Sequence, residues 1–374
     1  MLKNLLITAL VPFSAAARQA PACLSAQGTP VDWWLALKHP LGDTFSYTDA
    51  SSAGEWAPPR PGLASPSPSL SPLAATLGPL YSPSPSPAAY ALWNDEPPPP
   101  PRDNVTAAVA PAPPPWFAHS KGAVALTEHG GWLLVHSAPR WPPAPSGGSY
   151  TGLAPPQQVY GQAFLCLSLD AAGAGAAVAG LARGLRPRTF AASDPGGQAL
   201  KNFPGFPALA RPRSGRRPPP SGLHITYLTT AGGAPLALFT SAGSGGREGF
   251  LWDHVARNLP APLLAVASWR RGPGRALPPA CGGNGSPAVL NVLSIRPPGA
   301  AAAWSGEDDH GKWGVAFGAG VGGGTVPSSS CVGDANREES QLRRGGAVVC
   351  LVGSGVLRAA VAAVDECKLL LTDA

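Results

Sequence analysis

Two tripeptides of one design carry the most chemistry in this chain: His119-Ser120-Lys121 and His310-Gly311-Lys312. Seven His and six Lys placed at random in 374 residues would give about 0.1 such tripeptides. Two occur, one in each half. On an extended strand, residues two apart share a face, so each motif sets an imidazole beside an ammonium. Imidazole can attack, or give and take protons, near neutral pH. Lysine adds a compact cation suited to a phosphate oxygen. Two copies predict a duplicated half-site and phosphodiester chemistry. No Gly-x-Ser-x-Gly elbow surrounds Ser120, which argues against a serine hydrolase. The Gly-rich run at 318–324 lacks the Gly-Lys-Ser/Thr of a phosphate-binding loop. The carboxylates of Glu307, Asp308 and Asp309 read as a solvated turn, and Lys38 as surface charge.

The elements around the motifs alternate between strand and helix. Residues 122–128 and 132–137, joined by His129-Gly130-Gly131, form a predicted β-hairpin that the first motif leads into. Strands are predicted at 162–169, 263–268, 289–296 and 313–317, and a second hairpin at 224–229 and 236–240. Helices are predicted over 171–184, 248–258 and 353–367. Residues 57–87 and 97–115 are Pro-rich coil, unable to supply central strands. The Gly/Ser stretch 318–330 and most of 185–222 read as coil. The pattern is α/β, with an N-terminal half near 23–170, a connection near 183–220 and a C-terminal half near 221–374.

The net charge is +6, yet residues 183–217 hold eight basic side chains against Asp194 alone. That segment reads as a solvated loop that would also attract a polyanion. The start has the form of a secretory signal over residues 1–17: Lys3, an apolar run, then Ala15-Ala16-Ala17. No later segment offers an uninterrupted apolar span, so no membrane crossing is expected. Six cysteines behind such a leader imply three disulfides, with 15 possible pairings. None is spaced Cys-x-x-Cys, which argues against zinc. Asn104-Val105-Thr106 is a glycosylation sequon.

Longer blocks carry a resemblance. HSKGAVALTEHGGWLLVHSAPRWPP (119–143), DDHGKWGV (308–315), CVGDANR (331–337), RRGGAVVC (343–350), VDWWLALKHP (31–40), WNDEPP (93–98), YGQAFLC (160–166) and VLNV (289–292) resemble the deoxyribonuclease II family, within the phospholipase D-like superfamily. The resemblance implies two pseudo-twofold related α/β halves, each with a mixed sheet flanked by helices, around one site. It implies acid endonuclease action on DNA with no metal and no cofactor, leaving 3′-phosphate and 5′-hydroxyl ends, in a lysosome, a vacuole or secretions. It pairs Cys23 with Cys166, Cys281 with Cys367 and Cys331 with Cys350. His119, Lys121, His310 and Lys312 become the catalytic core, with His136, Asn336, Asn94 and Asp95 as supporting residues. His119 is taken as nucleophile and His310 as acid, a division the sequence does not itself separate.

One position departs from the family. Thr127 stands where an Asp is usual, and Glu128 beside it would face the other side of the strand, which questions the first half-site. Trp313 is either a base-stacking or a core aromatic. His39, His129, His224 and His254 read as structural. Two other functions remain open at this stage: a phosphodiesterase acting on a lipid head group, and a weakened Pro-rich extracellular glycoprotein.

Overall fold

The computed structural model describes residues 20–82, 88–99, 117–145, 148–211, 222–243, 250–272, 274–283, 285–318 and 328–367. The expected leader, Asn104, nearly all of the second Pro-rich segment, Arg213, Arg216, Arg217 and most of the Gly run lie outside these residues.

A ribbon of β1 (Cys23–Leu24) and β2 (Pro30–Val31) precedes the first sheet. That sheet holds β3 (Trp33–Lys38), β4 (Phe45–Asp49), β5 (Ala57–Arg60), β6 (Ala89–Asn94), β7 (Lys121–Thr127), β8 (Gly130–His136), β9 (Gln162–Asp170) and β10 (Thr189–Ser193). Their order is β10-β6-β7-β8-β9-β3-β4-β5, with neighbours antiparallel. The second sheet holds β11 (Leu223–Thr229), β12 (Pro235–Ser241), β13 (Leu263–Ala267), β14 (Ala288–Ile295), β15 (Trp304–Ser305), β16 (Trp313–Phe317), β17 (Ser329–Gly333), β18 (Gly346–Leu351) and β19 (Val361–Val364). Its order is β11-β12-β18-β17-β16-β13-β14-β15, with β19 on β14 and a parallel β13–β14 pair. The run β6-β7-β8-β9-β3-β4 matches the run β13-β16-β17-β18-β12-β11 neighbour for neighbour. In each run a His-x-Lys motif enters the second strand.

The helices are few: α1 (Pro72–Leu77), α2 (Pro155–Gln158), α3 (Ala171–Gly184), α4 (Gln198–Asn202), α5 (Phe206–Ala210) and α6 (Leu251–Asn258). The α3 start is capped by Asp170, whose carboxylate accepts from Gly173 N at 2.7 Å. Its glycines lower helix propensity but allow close contact with the second sheet. A Cβ on Gly184 would lie 2.0 Å from Thr240 Oγ1. One core joins the inner faces of both sheets across α3, with Leu35, Val124, Leu133 and Leu165 from the first and Leu238, Val315, Val332 and Val349 from the second. Each such side chain removed from water contributes roughly 1.5–3 kcal/mol. Outer cores lie under α1 and α6.

The disulfides are Cys23–Cys166, Cys281–Cys367 and Cys331–Cys350, the pairing the resemblance implies. Three coil or helix expectations are corrected. Residues 72–77, inside the first Pro-rich segment, are α1: Pro72 sits in the first turn, where a missing N–H costs nothing, and Ser71 caps it. The 185–222 connection supplies β10, α4 and α5. Its Arg186 and Arg188 carbonyls accept from Ala118 N and Asn94 N, so this part packs beside the first motif. The 353–367 helix is instead a 3-10 turn at Val356–Ala360 and then β19, which covers the open edge of β14.

Candidate active site

Both motifs sit where the two sheets meet. His119 and Ser120 form the turn before β7, and Lys121 is its first residue. His119 N donates to Gly345 O (3.2 Å), the residue before β18, and its ring Nδ1 bonds the Asp334 carbonyl, the residue after β17. The second motif mirrors this. His310 N donates to Gly161 O (2.8 Å), just before β9, and its Nδ1 bonds Ser137 O (3.0 Å), just after β8. Each motif is thus fastened twice by the opposite sheet, at matching positions. A carbonyl only accepts, so Nδ1 carries the proton in both rings and Nε2 keeps its lone pair.

The surroundings of the two rings differ. Asp95, the residue after β6, is buried and bonds Lys121 Nζ. It also accepts from Arg344 (3.0 Å) and lies 3.9 Å from His119 Nε2. His310 has Lys312 instead: its Nζ donates to His310 O (2.7 Å) and lies 3.0 and 3.2 Å from the two ring nitrogens. The Trp269 ring is 5.2 Å from that of His310. Burial, then the Lys121 cation, lowers the His119 pKa well below its ordinary value, while Asp95 pulls it upward. Burial, Lys312, Lys121 and His119 lower that of His310. Burial and Lys121 lower Lys312. Burial opposes the Asp95 carboxylate, yet Lys121, His119 and Arg344 hold its pKa below the usual range. Burial pushes Asp334 up to about 7, against hydrogen bonds from Ala347 N and Ser120. These mutual effects put all four motif side chains in one electrostatic site.

Several expectations change. Asp309 is not solvated: it is buried, accepts from Trp304 Nε1 (3.0 Å) and Gly311 N, and so shapes the turn that presents His310. A Cβ at position 311 would lie 2.4 Å from Asp309 Oδ1, so the motif needs glycine there. Lys38 is buried too, bonding three carbonyls rather than solvent. Trp313 is a core residue. Thr127 ends β7, about 20 Å along the strand from Lys121, and bonds within the hairpin turn. The substitution there leaves the site untouched, and Asp95 is the carboxylate that faces His119.

Of the supporting residues, His136 pairs with Phe164 across β8 and β9, buried edge-on to Trp141 (4.7 Å) and stacked on Phe164 (6.1 Å). Asn94 donates to Ala138 O (3.0 Å) and Trp141 O (2.8 Å), pinning the loop after β8. Asn336 is buried two residues beyond Asp334, with its Oδ1 unpaired. Among the described residues, no three His, Cys, Asp or Glu side chains gather as metal ligands.

The family model for deoxyribonuclease II matches residues 22–369. The chain belongs to the deoxyribonuclease II family. It is similar to deoxyribonuclease-2-alpha of Mus musculus, 31% identical over 93% of this chain and 92% of the relative. The Sus scrofa protein of that name is 30% identical over 88% and 85%. Cell-death-related nuclease 7 of Caenorhabditis elegans is 26% identical over 88% and 82%. As a deoxyribonuclease II, the chain is a deoxyribonuclease. Sequence reasoning missed Asp334, Arg344, Asp309 and Trp269 around its site. The first three lie inside the family-like blocks, whereas nothing local marks Trp269.

Proposed function

We propose that this deoxyribonuclease II is an acid endonuclease that works without a metal through a phosphohistidine. The observation that carries the reading is the crosswise fastening of both rings through Nδ1, which leaves each Nε2 to the site itself, that of His310 3.2 Å from Lys312 Nζ and that of His119 3.9 Å from Asp95. The halves act as a phospholipase D-like pair, a reading supported by their matched strand orders.

On the surroundings of each ring, we assign the two roles the other way round from the sequence expectation. His119, beside the Asp95 carboxylate, is the proton donor. His310, beside the Trp269 ring and Lys312 and, among the described residues, with no carboxylate as close, is the nucleophile. His310 Nε2 attacks phosphorus, the P–O5′ bond breaks, and His119 gives its proton to the leaving oxygen. Water then attacks phosphorus, the N–P bond breaks, and His119 takes the water proton. The products carry 3′-phosphate and 5′-hydroxyl ends. Lys121 and Lys312 neutralise charge on the non-bridging oxygens, as a divalent cation would.

Acid favours this cycle. The His119 imidazolium forms as pH falls through its lowered pKa, while His310, without carboxylate support, stays neutral. Three disulfides suit the secretory pathway, in a lysosome, a vacuole or secretions. Among the described residues no helix is long and apolar enough to cross a membrane.

Nicking of supercoiled plasmid in excess EDTA, near pH 5 and so below the ordinary His pKa of about 6.5, tests the reading. Wild type should nick and leave 3′-phosphate ends, and His310→Ala should not. No cleavage by disulfide-intact wild type, or cleavage that EDTA abolishes, would contradict it.

A further inference from the structure

We propose that the loop carrying Leu41 is a wedge, and the hollow beside it a pocket, for a nucleobase unstacked from the DNA next to the scissile phosphate. The inference rests on the nuclease reading and names how that site engages its substrate. The hollow measures about 430 Å³ and is lined by His39, Leu41, Val159, Tyr160, Trp304 and Asp308 among others. That is the size of a small-ligand site. Two of its residues are large apolar side chains turned to solvent: Leu41 is 87% exposed and Val159 44%.

The loop is built to hold Leu41 there. Leu41 has φ 56°, a conformation uncommon outside glycine and held only when the surroundings enforce it. The enforcement is visible. The buried Lys38 ammonium donates to His39 O (2.5 Å), Gly42 O (2.9 Å) and Gln158 O (2.8 Å), using all three of its protons. Leu41 N and Gly42 N donate to Val159 O and Gln158 O. A buried cation thus orders a loop whose tip is apolar and unpacked. Apolar side chains of this kind enter base steps in proteins that unstack DNA.

Residues lining the hollow are linked to the candidate active site. Val159 is two residues from Gly161, whose carbonyl holds His310 N, a reach of at most about 7 Å. The Tyr160 ring lies 4.7 Å from Trp269, which lies 5.2 Å from His310. Also in the lining, the His39 and Trp304 rings are 4.7 Å apart. At about 3.4 Å per nucleotide along a strand, the hollow falls within a few nucleotides of the phosphate at His310. Its flat rings and apolar rim suit a base face.

The test compares wild type with Leu41→Ser, a change at an exposed tip that should leave thermal stability unaltered. The substrates are duplex DNA, single-stranded DNA of the same sequence, and the base-free diester bis(p-nitrophenyl) phosphate. The wedge predicts that kcat/KM on duplex falls about tenfold, in the range of one base stack, with a smaller fall on single strands and none on the small diester. An unchanged duplex rate, or an equal fall on all three substrates, would overturn the proposal. A wild type that hydrolyses the small diester but neither DNA would instead overturn the nuclease reading, and the wedge with it.

Discussion

His310 donates its Nδ1–H to the carbonyl of Ser137 at 3.0 Å, across the junction of the two sheets. The Asp334 carbonyl holds His119 in the same way from the other side. Each half therefore sets the tautomer and orientation of the other half's imidazole. Neither motif is aligned alone, so the chemistry requires both sheets docked.

In the proposed cycle Asp95 sets the pH range. It lies 3.9 Å from His119 Nε2 and raises the affinity of that ring for a proton. In Asp95→Asn the His119 pKa drops further, so the alkaline limb of the kcat/KM profile should move down by about one unit. Rates should fall most at the upper end of the active range. A uniform loss at all pH values would mean that Asp95 only supports the fold.

In the proposed cycle the lysines take the part of a metal. Lys121→Met or Lys312→Met should lower kcat about 10²–10³-fold, the scale of losing one group that stabilises transition-state charge. Neither EDTA nor Mg²⁺ should alter the wild-type rate. Steady-state kinetics in both conditions checks this, and stimulation by Mg²⁺ would count against it.

Asp334 couples the site to stability. Burial raises its pKa to about 7, so between about pH 4 and 7 the folded chain keeps a proton that the unfolded chain loses. Its contribution is fully present below about pH 4 and is lost as pH rises towards 7. Asp334→Asn should remove this slope, on the order of 2–4 kcal/mol across the window. Urea denaturation of both proteins at several pH values measures it.

Much of this arrangement is legible in the residues. The first hairpin, α3 and the β13, β14 and β16 strands follow from apolar periodicity and turn residues, and the motif pair marks the site. What escaped depends on long-range contact. Asp309 looks solvated because it adjoins Glu307 and Asp308, and only the fold brings Trp304 over it. Lys38 looks like surface charge until Gln158, 120 residues on, supplies an acceptor. Residues 353–367 have helical spacing, but the open edge of β14 selects a strand. Thr127 draws notice only because the family usually has Asp there, and strand geometry carries it away from Lys121.

The most direct test is to trap the covalent intermediate. His119→Asn lacks both the proton donor and the group that activates water, so with 5′-labelled DNA whose scissile O5′ is replaced by sulfur, a leaving group that needs no proton, it should accumulate an enzyme–DNA adduct that survives alkaline quenching. Peptide mapping by mass spectrometry should place that adduct on His310, and His119→Asn/His310→Ala should form none. Adduct formation by the double variant, or mapping of the wild-type adduct to His119, would contradict the account.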